Sequence, residues 1–187
     1  MIKTKKDLIE YIDADKKINN YSGKSILVEK LKGNIENALV MQLLIALRKF
    51  EYSTNNIRGF VGKLRYLYYK RAYYKLRMKV GIHLDANVFD KGIRIVHPGY
   101  IWIGQSSQIG KNCTILPRVL IGKKKAGLPK PCVKIGNDCY IGTGTTILGP
   151  ITIGNNVTIG AGSVVVNDVP DNCVIAGNPA KILKYKE

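Results

Sequence analysis

Between Ile101 and Val166 an aliphatic residue returns every six positions, usually followed by glycine. The in-phase residues are Ile103, Ile109, Ile115 and Ile121, then Ile135, Ile141, Ile147, Ile153, Ile159 and Val165. A period of six fits neither a helix face nor plain strand alternation, so it calls for a repeat architecture. The reading is a β-helix in which each hexapeptide supplies a short strand and a corner, and three hexapeptides complete a coil of about eighteen residues. Positions two before the aliphatics (Val133, Cys139, Thr145, Ile151, Val157, Ser163) are small or apolar and alternate with them as inward strand residues do. Asn and Gly follow the aliphatics, as in Ile109-Gly110-Lys111-Asn112, because tight corners favour residues that tolerate positive φ. An ordinary sandwich would need ten in-phase aliphatics by coincidence.

Ahead of the repeat the pattern is helical. Asp7 to Asp15 is a short amphipathic stretch, Asn19 to Gly23 carries a turn signal, and a second helix is expected from about Asn34 to Phe50 with Leu39, Leu43, Leu44 and Leu47 at helical spacing. A third, from about Ile57 to Lys79, interleaves Tyr66, Tyr68, Tyr69, Tyr73 and Tyr74 with Lys and Arg. The expected class is therefore α+β, with a helical region over 1–79 and a parallel β-helix over 80–187.

Charge is concentrated in those helices. The net charge is +17, and ten Lys or Arg face a single acid, Glu51, between Met41 and Val80. Three readings of the third helix stay open: packed aromatics with solvated charges, peripheral contact of residues 57–79 with an anionic membrane, or nucleic-acid binding, which no recognised motif supports. The four cysteines show no C-x-x-C pairing and read as small buried hydrophobes in a reduced compartment. With only two histidines besides, no metal is expected. Neither a signal-peptide core nor an apolar run of spanning length is present, which points to the cytoplasm, with a peripheral position at the inner membrane face kept open.

Two irregularities interrupt the repeat. His97 stands six residues before Ile103, where strict phase would put an aliphatic, and a titratable side chain there must be satisfied or exposed for use. Fourteen residues, not a multiple of six, separate Ile121 from Ile135, so a loop over 122–132 must leave the prism; Lys123, Lys124, Lys125 and Lys130 make it favourable to an anion.

The hexapeptide run, the projecting loop, the segment from Gly92 to His97 and the ending Val174-Ile175-Ala176-Gly177-Asn178-Pro179-Ala180-Lys181 together resemble the hexapeptide-repeat acyltransferases, in the serine acetyltransferase-like branch associated with surface-polysaccharide genes. The resemblance implies a left-handed parallel β-helix, a homotrimer with sites between adjacent prisms, and acetyl-coenzyme A as donor. It makes His97 the general base, Gly142-Thr143-Gly144 and Gly160-Ala161 the donor-binding turns, and Lys181 a partner for a coenzyme phosphate. Lys123, Lys124 and Lys130 would serve the acceptor side.

The departures from that family bear on the acceptor. Serine acetyltransferases place an aspartate before the catalytic histidine, where this chain has Val96, and close the loop with an arginine–histidine pair, where this chain has Leu128 to Cys132. The acid that orients the histidine is also displaced, leaving Asp85 and Asp90 as substitutes. Missing partners for an amino acid's ammonium and carboxylate favour an O-acetyltransferase acting on a sugar or glycan hydroxyl, with serine O-acetylation for cysteine biosynthesis as the alternative.

Overall fold

The structure, a computed structural model, describes residues 1–21, 28, 31 and 33–187. The expected turn at Asn19 to Gly23 lies partly outside the described residues. Three helices precede the strands among the described residues: α1 (Lys5–Ile18), α2 (Ile35–Asn55) and α3 (Gly59–Val80). Each runs past its expected bounds at one end at least. α1 begins at a capping box in which the Thr4 hydroxyl accepts from the Asp7 N–H and the Asp7 carboxylate accepts from the Thr4 N–H, satisfying amides the first turn leaves unpaired. α3 ends at Gly81 in the left-handed conformation.

The strands wind into three parallel sheets. β1 (Ile82–Leu84), β3 (Ile101–Ile103), β6 (Leu120–Lys123), β9 (Thr146–Gly149) and β12 (Val164–Val165) form the first; β4 (Ser107–Ile109), β7 (Val133–Ile135) and β10 (Ile151–Ile153) the second. The third contains β2 (Arg94–Ile95), β5 (Thr114–Ile115), β8 (Tyr140–Ile141), β11 (Thr158–Ile159), β13 (Cys173–Gly177) and β14 (Ala180–Tyr185). Only the β13–β14 pair is antiparallel. All ten in-phase aliphatics are buried, and so are the six residues two positions before the later ones. Each fully buried aliphatic is worth roughly 1.5–3 kcal/mol. Asn112, Asp138, Asn156 and Asn172 take positive φ at the corners, and Asn112 Nδ2 donates to Asp138 and Asn156 Nδ2 to Asn172, so the corner residues tie one coil to the next.

Register shows where the period fails. Thr152 pairs with Lys134, 18 residues back, but Lys134 pairs with Gln108, 26 back, because the loop adds eight residues between β6 and β7. The first coil is also long: Ile115 pairs with Ile95, 20 residues back. Ile95 therefore fills the inward site, and His97 falls two residues beyond it. The expectation from strict phase, that His97 occupies an aliphatic position, is corrected by those two extra residues.

The helices close the base of the prism through one buried polar cluster. Arg48, fully buried, donates through Nε to Asp15 at 2.8 Å, through Nη1 to Glu51 at 3.0 Å, and to the carbonyls of Phe89 and Asp90. Asp15 Oδ1 also accepts from the Gly92 and Ile93 N–H groups, and Glu51 from the Asn87 N–H. Burial alone would disfavour the guanidinium, but Glu51 and Asp15 push its pKa above its already high ordinary value. One side chain thus joins α1, α2 and the first coil.

Candidate active site

His97 sits at the corner between the third sheet and the first. Hydrogen bonds fix which residues share that corner: Val96 N–H donates to Ile115, Leu116 to Ile141, Gly142 to Ile159 and Gly160 to Ile175. One position further on, His97, Pro117, Thr143 and Ala161 stack in the same order. At about 4.8 Å per coil, Thr143 lies about 10 Å and Ala161 about 14 Å above His97. The upper corner is kept narrow by contacts that no side chain could replace. A Cβ on Gly142 would lie 2.7 Å from Ile159 O and 2.7 Å from Ala161 N, so glycine is required there. Thr143 Oγ1 and the Gly144 N–H both donate to Pro117 O, at 2.7 and 3.0 Å.

In the adjoining column Ala176 lies above Gly160 and pairs with Lys181 on β14. His97, the turns at Gly142–Gly144 and Gly160–Ala161, and Lys181 are therefore brought to one edge, with the imidazole at its foot and an exposed lysine at its head. The remaining site candidates lie elsewhere. Lys123 donates to Leu128 O and Lys124 to Val166 O, so these two ammonium groups fasten the loop to the prism. Lys130 borders a cavity of about 1030 Å³ over the second sheet, together with Gln108, Lys134 and Thr152.

The acid beside His97 comes from the helices. Glu36, in the first turn of α2, places Oε2 2.9 Å from His97 Nδ1, with both side chains open to solvent. Asp85 and Asp90, the acids expected there, are engaged otherwise. Asp85 accepts from the Gln105 N–H and meets His83 Nε2 at 3.2 Å; Asp90 accepts from the Lys91 N–H, and Tyr11 and Lys91 hold it below the usual carboxylate range against the opposing effect of burial. His83 stacks on Trp102 with ring centroids 3.8 Å apart, and burial, with Arg77 nearby, lowers its pKa below the ordinary imidazole value. Glu36 escaped sequence reading because it is 61 residues from His97 and looks like any acid in a helix's first turn. No group of histidine, cysteine and carboxylate side chains suited to a metal ion occurs among the described residues.

Known proteins resemble this chain in sequence and in fold. The profile of the bacterial transferase hexapeptide family (six repeats) matches residues 132–167. The chain is 46% identical over 110 residues to serine acetyltransferase 3, mitochondrial, of Arabidopsis thaliana, a match covering 58% of this chain and 27% of that protein. It is 37% identical over 129 residues to YvoF of Bacillus subtilis (strain 168), provisionally named an acetyltransferase, covering 68% of this chain and 70% of that one. Among solved structures, soybean serine acetyltransferase apoenzyme superposes with a TM-score of 0.70 at 25% identity, over 95% of this chain and 69% of that one. The chain spans only 27% to 60% of the length of the first four serine acetyltransferases it matches. The architecture, helices followed by a left-handed parallel β-helix, is the one these enzymes share.

Proposed function

The chain belongs to the hexapeptide-repeat transferase family, and from that premise we propose that it is an acetyl-coenzyme A-dependent O-acetyltransferase with His97 as general base. The observation that carries this reading is the single edge on which an exposed imidazole, two small-residue turns and Lys181 are aligned. With Glu36 accepting from Nδ1–H, the His97 Nε2 lone pair faces outward. Nε2 takes the proton of the acceptor hydroxyl while its oxygen attacks the thioester carbonyl. The C–S bond then breaks, and the departing thiolate receives the proton from the imidazolium. The pantetheine arm would run past Thr143 and Ala161, and a coenzyme phosphate would reach Lys181.

A homotrimer suits this arrangement. His97 and the cavity bordered by Lys130 lie on different sides of one prism, so a site using both would draw them from adjacent copies. That places Lys130 on the acceptor side, whereas Lys123 and Lys124 act through the loop they hold.

For the acceptor, the relatives favour L-serine, ahead of the sugar hydroxyl that the sequence departures suggested. The sugar reading keeps one specific support: Val96 stands beside His97 and no arginine or histidine occurs from Leu128 to Cys132, so groups to pair with an amino acid are missing there. Acetyl-coenzyme A consumption with L-serine, measured against a panel of hexoses and N-acetylhexosamines, separates the two. Saturable serine turnover is expected; sugar turnover with serine inert would reverse the order. His97→Ala should cut turnover about 10²–10⁴-fold with the fold intact. Undiminished turnover would remove His97 from the mechanism.

A further inference from the structure

α3 has two apolar faces, and the described residues cover only one. The inner face carries Tyr73, which stacks on Phe50 with centroids 5.6 Å apart and donates to Leu84 O, together with the buried Gly62 and Val80. Of the five tyrosines Tyr73 is buried, Tyr66 and Tyr69 pack partly against the core, and Tyr68 and Tyr74 are exposed. On the outer face Phe60, Val61, Leu64, Leu67 and Met78 recur at helical spacing and are 51% to 78% exposed. Among the described residues nothing packs over them.

Cations frame this stripe. Lys63 and Arg71 flank its apolar half, and Arg71, Lys75 and Lys79 occupy the half toward Gly81, all exposed. No acid occurs anywhere in α3, against seven Lys and Arg, and the next acids along the chain are Glu51 and Asp85. We infer that the outer face of α3 is a membrane-docking surface that lies flat on an anionic bilayer, its Phe60–Leu67 half entering the acyl boundary and its Arg71–Lys79 half meeting lipid headgroups. A helix of 22 residues is about 33 Å long and lies within the interface, since no helix among the described residues is apolar enough to cross a membrane.

Charge decides among the occupants this face could take. A second copy laid face to face would set the four exposed cations Lys63, Arg71, Lys75 and Lys79 against the same four, with no acid in α3 to pair them. Nucleic acid would satisfy the cations but leave Phe60, Leu64 and Leu67 without a role. An anionic bilayer satisfies both, because aliphatic side chains enter the hydrocarbon boundary while Lys and Arg reach the headgroups. This inference does not depend on the acetyl-transfer reading.

The test is co-sedimentation of the full chain with phosphatidylcholine vesicles, and with vesicles of phosphatidylcholine and phosphatidylglycerol, at low and high salt. Binding to the phosphatidylglycerol vesicles at low salt, weakened by salt, is expected. Lys75→Gln should weaken it about fivefold. Leu64→Ser with Leu67→Ser should weaken it at least about tenfold, with circular dichroism and gel-filtration volume unchanged because neither side chain is packed. Indifference to phosphatidylglycerol at low salt would overturn the inference. So would full binding by the double-serine protein, which marks a charge-only association. Preferential binding of single-stranded DNA, or self-association lost in the double-serine protein while vesicles are ignored, would assign the face to another occupant.

Discussion

The coils from Val133 to Val165 and the first coil with its helices share one strand geometry but are stabilised differently. In the upper coils every inward site is a small or aliphatic side chain, and the polar order is a ladder of corner Asn and Asp with short hydroxyl-to-carbonyl bonds from Thr145 and Ser163. At the base, a buried guanidinium and two carboxylates hold helices to strands, and the coil that receives them is two residues longer than the regular coils above. Those two residues carry His97 out of the core. The regular region sets spacing along the edge, and the irregular region supplies its reactive group.

That contrast can be broken at several points. Arg48→Leu leaves Asp15 and Glu51 buried without their shared cation and should cost about 3–5 kcal/mol; thermal unfolding followed by circular dichroism should show the helical signal lost at lower temperature than the strand signal. Simultaneous loss of both would show that base and prism unfold as one unit. In the upper coils, Ile141→Ala should cost about 2–5 kcal/mol through the cavity it leaves, read as a lower melting temperature, while turnover at ambient temperature stays unchanged. A large turnover loss there would mean that the regular coils do more than set spacing. Glu36→Ala should lower kcat about tenfold with KM nearly constant, near the low end of what losing a histidine-orienting partner costs in metal sites. Glu36→Gln, which can still accept from Nδ1–H, should recover part of that loss. Equal effects of the two replacements would reduce the Glu36 contact to a surface ion pair.

Much of this was legible in the chain because each coil is specified locally. Ile141 and Cys139 are two positions apart, and their burial follows from strand alternation alone. The helices were legible as stripes, with bounds short by a few residues. His97 was recognisable through family resemblance, but its phase was not, since the two extra residues of the first coil fall between Ile95 and Ile103, where no hexapeptide signal marks them. Arg48 itself had left a signal: a lone cation on the face that carries Leu44 and Leu47 must be paired when that face is buried. The loop lysines looked alike in sequence, and only their carbonyl partners distinguish Lys123 and Lys124 from Lys130.

The β13–β14 hairpin bears on a different hazard. A parallel coil left open would present a row of unpaired N–H and C=O groups to the next molecule, an invitation to end-to-end growth. β14 turns back antiparallel across that row, carries Lys181 and Lys184, and leads to Lys186, whose N–H donates to Asn172 O at 2.7 Å and whose Nζ reaches Asn156. Further strands would meet reversed polarity and a line of cations. The helices cover the other end, so on the third sheet a scaffold with fibre-like geometry is guarded against further strand addition.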